Sequence, residues 1–264
     1  MLAKRVASGL IMGPLALGLA YLGGLWYWAA VTAVAILAGW EYLRLVSRKG
    51  ERADYPLAIL LILLLMLGAR YPSWGLVRGG MTLMVAFSLL WQMARRGGDI
   101  PLVGWALSLG GALYIGLLLS HFTLLRDLPK GWEWTLLAFF PTWANDSGAY
   151  LVGRWVGRHP FAPRISPKKT WEGSVGGWIL GVAVAWALGN CVGLSPSHGL
   201  LLGVVVCLAA TAGDLVESMF KRWAGVKDSG SLIPGHGGVL DRIDSLLFAV
   251  TAAYLYRVWV MRLI

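Results

Sequence analysis

Apolar residues fall in nine blocks along this chain: Val6–Leu22, Trp26–Leu43, Tyr55–Ala69, Leu76–Met93, Leu102–Leu124, Trp134–Val152, Val175–Leu188, Leu200–Phe220 and Ser245–Met261. A helix needs about 20 apolar residues to cross the hydrocarbon core of a bilayer. The third and seventh blocks are the shortest, and the others approach that length. The pattern predicts an all-α polytopic membrane protein with nine transmembrane helices. Lys4 and Arg5 precede the first block as they would in a signal peptide, but no small-x-small cleavage site follows. The block is therefore read as the first span.

Polar residues between the blocks orient the bundle. With a cytoplasmic N-terminus, 17 of the 23 Lys and Arg residues fall in cytoplasmic segments and 6 outside. Cytoplasmic loops carry such an excess, so the N-terminus is expected inside and the C-terminus outside. Composition agrees, with 58% hydrophobic and 14% charged residues, against about 25% charged in a soluble domain. The net charge of +10 then calls for no nucleic acid, because anionic lipid attracts cationic loops. Cys191 and Cys207 lie in apolar surroundings without CxxC spacing and read as packing residues. Trp26, Trp28, Trp74, Trp132 and Trp134 stand near block ends, where aromatic belts form. Gly173, Gly177 and Gly181 put a smooth stripe on the seventh block. Such a stripe favours close helix packing, within the protomer or across a homodimer.

Two carboxylates interrupt the apolar pattern, Asp146 in the sixth block and Asp214 in the eighth. An acid there costs several kcal/mol unless paired, hydrated or metal-bound, so it marks a functional site by default. Asp146 precedes Arg154 by eight residues and Asp214 precedes Lys221 by seven. At 1.5 Å per residue both lie roughly 10–12 Å below the cytoplasmic boundary. Asp241 and Asp244 open the ninth block, where helix capping accounts for Asp244 alone. Two cytoplasmic loops are polar, Gly153–Gly173 and Ser218–Asp244. In the second, Gly225, Gly230, Gly235, Gly237 and Gly238 with Pro234 exclude a continuous helix. Cations beside acids on shaped backbone suit a phosphate-plus-metal site. The plainer alternatives are a solvated positive-inside loop and, for the acids, buried ion pairs with loop arginines. Residues 1–130 are assigned as a scaffold of transmembrane helices, with no chemical motif and no acid expected inside a span. Residues 131–264, with both basic loops, are assigned as the catalytic region.

The run Ser218–Asp244 is similar to the signature of the phosphatidate cytidylyltransferases, or CDP-diacylglycerol synthases. It carries Ser218, Lys221, Arg222, Lys227, Asp228, Pro234, His236, Gly237, Gly238, Asp241, Arg242 and Asp244 in the family's places within 27 residues. Ser166–Gly173 and the stretch from Asn145-Asp146 to Gly153-Arg154 resemble the same family. The resemblance implies that CTP and phosphatidic acid give CDP-diacylglycerol and pyrophosphate in phospholipid biosynthesis. It places the chain in the bacterial cytoplasmic membrane with the site facing the cytoplasm. The lipid phosphate is already ionised, so the task is electrostatic: anionic reactants must meet and leaving-group charge must be stabilised. Asp146, Asp214, Asp241 and Asp244 are expected to hold one or two Mg²⁺. Lys221, Arg222, Lys227 and Arg242 are expected at the triphosphate or leaving pyrophosphate. Lys168 and Lys169 are expected at the lipid phosphate or the nucleotide. His236 either donates to a phosphate oxygen or fixes the loop backbone. Asn145, Ser218 and Asp228 complete the substrate-binding set. Asp214, Asp241, Lys221, Arg222 and His236 form the expected catalytic group.

Other classes fit less well. A cation-coupled transporter using Asp146 and Asp214 is opposed by their off-centre depth and by two long cationic loops on one side. A CDP-alcohol phosphotransferase needs an Asp-Gly dipeptide, which is absent, as are Walker A and His-Glu-x-x-His motifs. A purely structural scaffold leaves the intramembrane acids without purpose. Orientation is directly testable: a reporter fused after Ile264 should read extracytoplasmic and one near Ser166 cytoplasmic. Both reading from one side would refute the nine-span topology.

Overall fold

The structure is a computed structural model describing residues 2–94, 102–232 and 237–261. It is mostly helical, and each of the nine apolar blocks lies in a helix. These are α1 (Leu2–Leu22), α2 (Gly24–Arg48), α3 (Tyr55–Arg70), α4 (Leu76–Ala94), α5 (Leu102–Arg126), α6 (Gly131–Val156), α7 (Trp171–Cys191), α8 (Pro196–Trp223) and α9 (Leu240–Val260). Among the described residues, six are long and apolar enough to cross a membrane: α2, α4, α5, α7, α8 and α9. The third stops at 16 residues, and α6, though 26 residues long, carries Asn145, Asp146 and Pro141 in its middle. The outward faces are apolar. Leu83, Phe87, Leu90 and Trp91 of α4 and Ile179 and Trp186 of α7 are exposed. Contiguous faces of this kind face lipid rather than water, and the chain is a multi-pass membrane protein.

The expectation of an all-α fold is corrected in one place. Within the predicted loop, β1 (Pro160–Ala162) pairs antiparallel with β2 (Ser166–Thr170). Pro163 and Arg164 turn the chain, and Ile165 N donates to Ala162 O at 3.1 Å. The polar composition and prolines that argued for a loop also suit a short, tightly turned hairpin.

Two compact units emerge from the contacts. The first comprises Met1–Leu124 with Trp223–Arg242, the second Leu125–Arg222 with Ile243–Ile264. In the first, Leu43, Leu61, Ile62, Leu65, Met66, Ile115 and Leu119 are almost wholly buried on α2, α3 and α5. Asp54 starts α3 by accepting from Leu57 N at 3.2 Å and also accepts from Gln92 of α4. An N-cap aspartate satisfies one of the amides a helix start leaves unpaired. In the second, α6 and α7 run in close contact, as the glycine stripe predicts. A Cβ on Gly177 would lie 2.9 Å from the Ala149 Cβ, and one on Gly181 would lie 2.9 Å from Pro141 O. Thus α6 of the same chain covers the stripe, and a homodimer would have to use another face. Trp178 Nε1 donates to Thr211 Oγ1 at 3.0 Å, fixing α7 to α8.

Gly177→Val should force α6 and α7 apart at a cost of about 1–3 kcal/mol, the usual range for overpacking. Thermal unfolding of the purified variant in detergent, followed by circular dichroism, should show a lowered midpoint. An unchanged midpoint would mean that the stripe is not a packing seam.

Candidate functional site

In the second unit, three helices and the hairpin supply charged groups to one neighbourhood. Asp214 of α8 is half-buried, and its Oδ2 is ion-paired with Lys169 of β2. Its Oδ1 accepts from Ser218 Oγ, one helical turn on, at 3.4 Å. Asp146 of α6 accepts at Oδ1 from Asn145 Nδ2 at 3.2 Å and from Ser245 Oγ of α9 at 3.5 Å. Asp244 of α9 accepts from Ser245 N at 2.7 Å. Asp146, Asp214 and Asp244 are close enough to feel one another's charge. A missing side chain permits this: a Cβ on Gly213 would collide with Asp244 O. One turn after Asp214, fully buried Glu217 pairs with Lys221. The alternation of a strand puts successive side chains on opposite faces. Accordingly Lys169 turns toward Asp214 while Lys168 stays exposed.

The hairpin is held at both ends. Arg222 Nε donates to Ile165 O at its turn, at 3.1 Å. At its base, Glu172 Oε2 accepts from Arg158 N at 3.1 Å and His159 N at 3.2 Å, and its Oε1 pairs with the His159 ring. Thr170 caps α7 by accepting from Gly173 N. Arg222 is thereby engaged with backbone, a role its sequence position did not suggest.

The first unit contains the other part of the predicted set, Lys227, Asp228, Asp241 and Arg242. Lys227, Asp228 and Arg242 are exposed. Asp241 is buried and its Oδ2 accepts three hydrogen bonds, from Ser229 N (2.9 Å), Ser229 Oγ (2.9 Å) and Gly238 N (2.8 Å). It thus shapes the loop ahead of α9, beyond any part in metal binding. His236, with Pro234 and Gly235 of the motif, lies outside the described residues, as do Arg95, Arg96 and Arg262 of the charge count. Sequence reasoning missed Glu41. This acid lies inside the second apolar block, and its Oε2 accepts from Ser229 Oγ and Leu240 N. The available signal was the one charged residue within the second apolar block, two residues from its end.

The donor chemistry suits a hard divalent cation, which takes oxygen ligands. Besides the three carboxylates, the Asn145 amide oxygen beside Asp146 is buried and has no hydrogen-bond partner among the described residues. Among the described residues no three His, Cys, Asp or Glu side chains close on one point as a ready-made metal cage.

If Glu172 anchors the hairpin, Glu172→Ala should expose its backbone while leaving the helices intact. Limited tryptic digestion in detergent should then cut after Arg164 and Lys168 several times faster than in the wild-type protein. Equal rates would show that the anchor is dispensable.

Residues 3–260 match the model of the cytidylyltransferase family. The phosphatidate cytidylyltransferase of Synechocystis is 36% identical, over 96% of this chain and 95% of its own length. That of Brucella suis is 32% identical over 97% of this chain and 93% of its own. The Mycobacterium bovis enzyme of the same name is 34% identical over 86% and 79%. With helices, basic loops and paired acids all inside the matched span, the chain belongs to the cytidylyltransferase family.

Proposed function

We propose that the protein converts CTP and phosphatidic acid to CDP-diacylglycerol and pyrophosphate for phospholipid synthesis. The observation that carries this reading is the group of acids and cations around Asp214, within a chain of the cytidylyltransferase family. A phosphate oxygen of phosphatidic acid forms a bond to the α-phosphorus of CTP. The bond between that phosphorus and its bridging oxygen to the β-phosphate breaks, and pyrophosphate leaves. No general base is needed, because the nucleophile is already an anion.

Asp146, Asp214 and Asp244, with Asp241, are the residues that would hold one or two Mg²⁺. When bound, the ion supplies charge neutralisation at the phosphate oxygens. The remaining work falls to side chains. Lys169 is ion-paired with Asp214 and is the cation placed to pass from a carboxylate to a phosphate oxygen. Lys168, exposed on the other face of β2, is available to anionic headgroups. Lys221, Lys227 and Arg242 serve the triphosphate and leaving pyrophosphate. Arg222 holds the hairpin so that Lys169 keeps its aim. His236 is assigned to a phosphate oxygen. The nine helices cross the bacterial cytoplasmic membrane with the N-terminus and both polar segments on the cytoplasmic side, where CTP is supplied.

Purified protein given labelled CTP, phosphatidic acid and Mg²⁺ should form a liponucleotide and an equal amount of pyrophosphate. Absence of that product would overturn the reading. Asp214→Asn, nearly isosteric but uncharged, should lower kcat by about 10²–10³, the loss usual for one charged transition-state contact. Near-normal turnover would reduce Asp214 to an ion-pair partner.

A further inference from the structure

Glu41 belongs to the half of the chain that carries none of the family signature, yet its carboxylate sits against the signature loop. It is 3% exposed. Oε2 accepts from Ser229 Oγ at 3.1 Å and from Leu240 N at 2.9 Å. Ser229 Oγ also donates to Asp241 Oδ2 at 2.9 Å. A hydroxyl has a single hydrogen, so the two acids share it, and Ser229 bridges α2 to the start of α9.

Two glycines make room for this acid. A Cβ on Gly230 would meet the Glu41 carboxylate oxygen and lie 2.8 Å from its Cδ. A Cβ on Gly238 would meet Ser229 Oγ and lie 2.7 Å from the same Cδ. The loop backbone therefore closes on the carboxylate from both ends of its described part. The other oxygen, Oε1, is buried, and no hydrogen-bond partner meets it among the described residues. A buried carboxylate is costly unless donors meet it. The retained charge is explained by what Oε2 holds: one backbone amide and one hydroxyl of the segment carrying Lys227, Asp228, Asp241 and Arg242.

We infer that Glu41 is a positioning residue for catalysis, acting through Ser229 and Leu240 to set the loop that presents Asp228 and Asp241. The inference rests on the proposed cytidylyl transfer. Substrates are not expected to touch Glu41. Its loss should leave KM for phosphatidic acid unchanged and lower kcat, because loop groups that meet the reacting phosphates lose their aim.

The test compares wild type, Glu41→Gln and Gly230→Ala, each as the full chain in detergent. Two quantities are read: steady-state kinetics with CTP and phosphatidic acid varied in turn, and the rate of tryptic cleavage after exposed Lys227. Both variants should lower kcat about 10-fold or more, with KM for phosphatidic acid held: an amide oxygen accepts from Ser229 and Leu240 less strongly than a carboxylate, and the Gly230→Ala methyl strikes that carboxylate. Both should raise cleavage after Lys227 several-fold while helical content stays wild-type, as local loop opening requires. Gly230→Ala reports on the same contact with Glu41 in place, should Glu41→Gln fail to accumulate. In a Glu41→Ala background, Gly230→Ala should add little further loss, because the atoms it strikes are gone. Wild-type kcat and wild-type protection in both single variants would overturn the inference while cytidylyl transfer stands. Absence of liponucleotide formation by the wild-type protein would instead remove the reading beneath it.

Discussion

Taking a carboxylate out of water costs several kcal/mol unless a cation or donors meet it, and that requirement organises both units of this protein. Asp214 draws Lys169, and with it the hairpin, onto α8. Glu217 is met by Lys221 one turn further along the same helix. Glu41 and Asp241 draw in the backbone around Ser229, Gly238 and Leu240. Each acid thus fixes the piece of polar chain beside it. A chain with few charged residues uses them to give shape to the segments that hydrophobicity cannot order.

Glycine is the counterpart of these acids. Gly213 lets α9 approach α8 closely enough for Asp244 to come near Asp214, and Gly230 and Gly238 let the loop reach Glu41. Gly177 and Gly181 do the same between α6 and α7, on the side of α6 that carries Pro141, Asn145 and Ala149. Small residues are the usual means of close helix approach in lipid, where little hydrophobic force acts between helices. Here the same device sets the spacing of charges.

The helices were legible because each is written locally, as an unbroken apolar block. Asp146 and Asp214 were legible because a charge within such a block stands out against its neighbours. The hairpin was not, since three-residue and five-residue strands rich in Pro and Lys lack the alternation by which strands are recognised. The pairing of Lys169 rather than Lys168 with Asp214 depends on strand facing, which becomes readable only once β2 is known. Arg222 looked like a phosphate ligand because its charge is visible in sequence while the carbonyl of Ile165 is not. Glu41 stands out in the second block in the same way, and the expectation of no acid in the first spans was wrong; what local pattern does not encode is its contacts. Its partners lie 188 and 199 residues away, and no local pattern encodes a contact at that separation.

That separation also bears on synthesis. Ribosomes add about 5–20 residues per second, so Ser229 follows Glu41 by roughly 10–40 s. Throughout that interval α2 carries an acid whose hydrogen-bond donors in the loop have not yet been made. Until Ser229 and Leu240 arrive, water or a bound proton has to meet this carboxylate, which stands only two residues from the end of its apolar block.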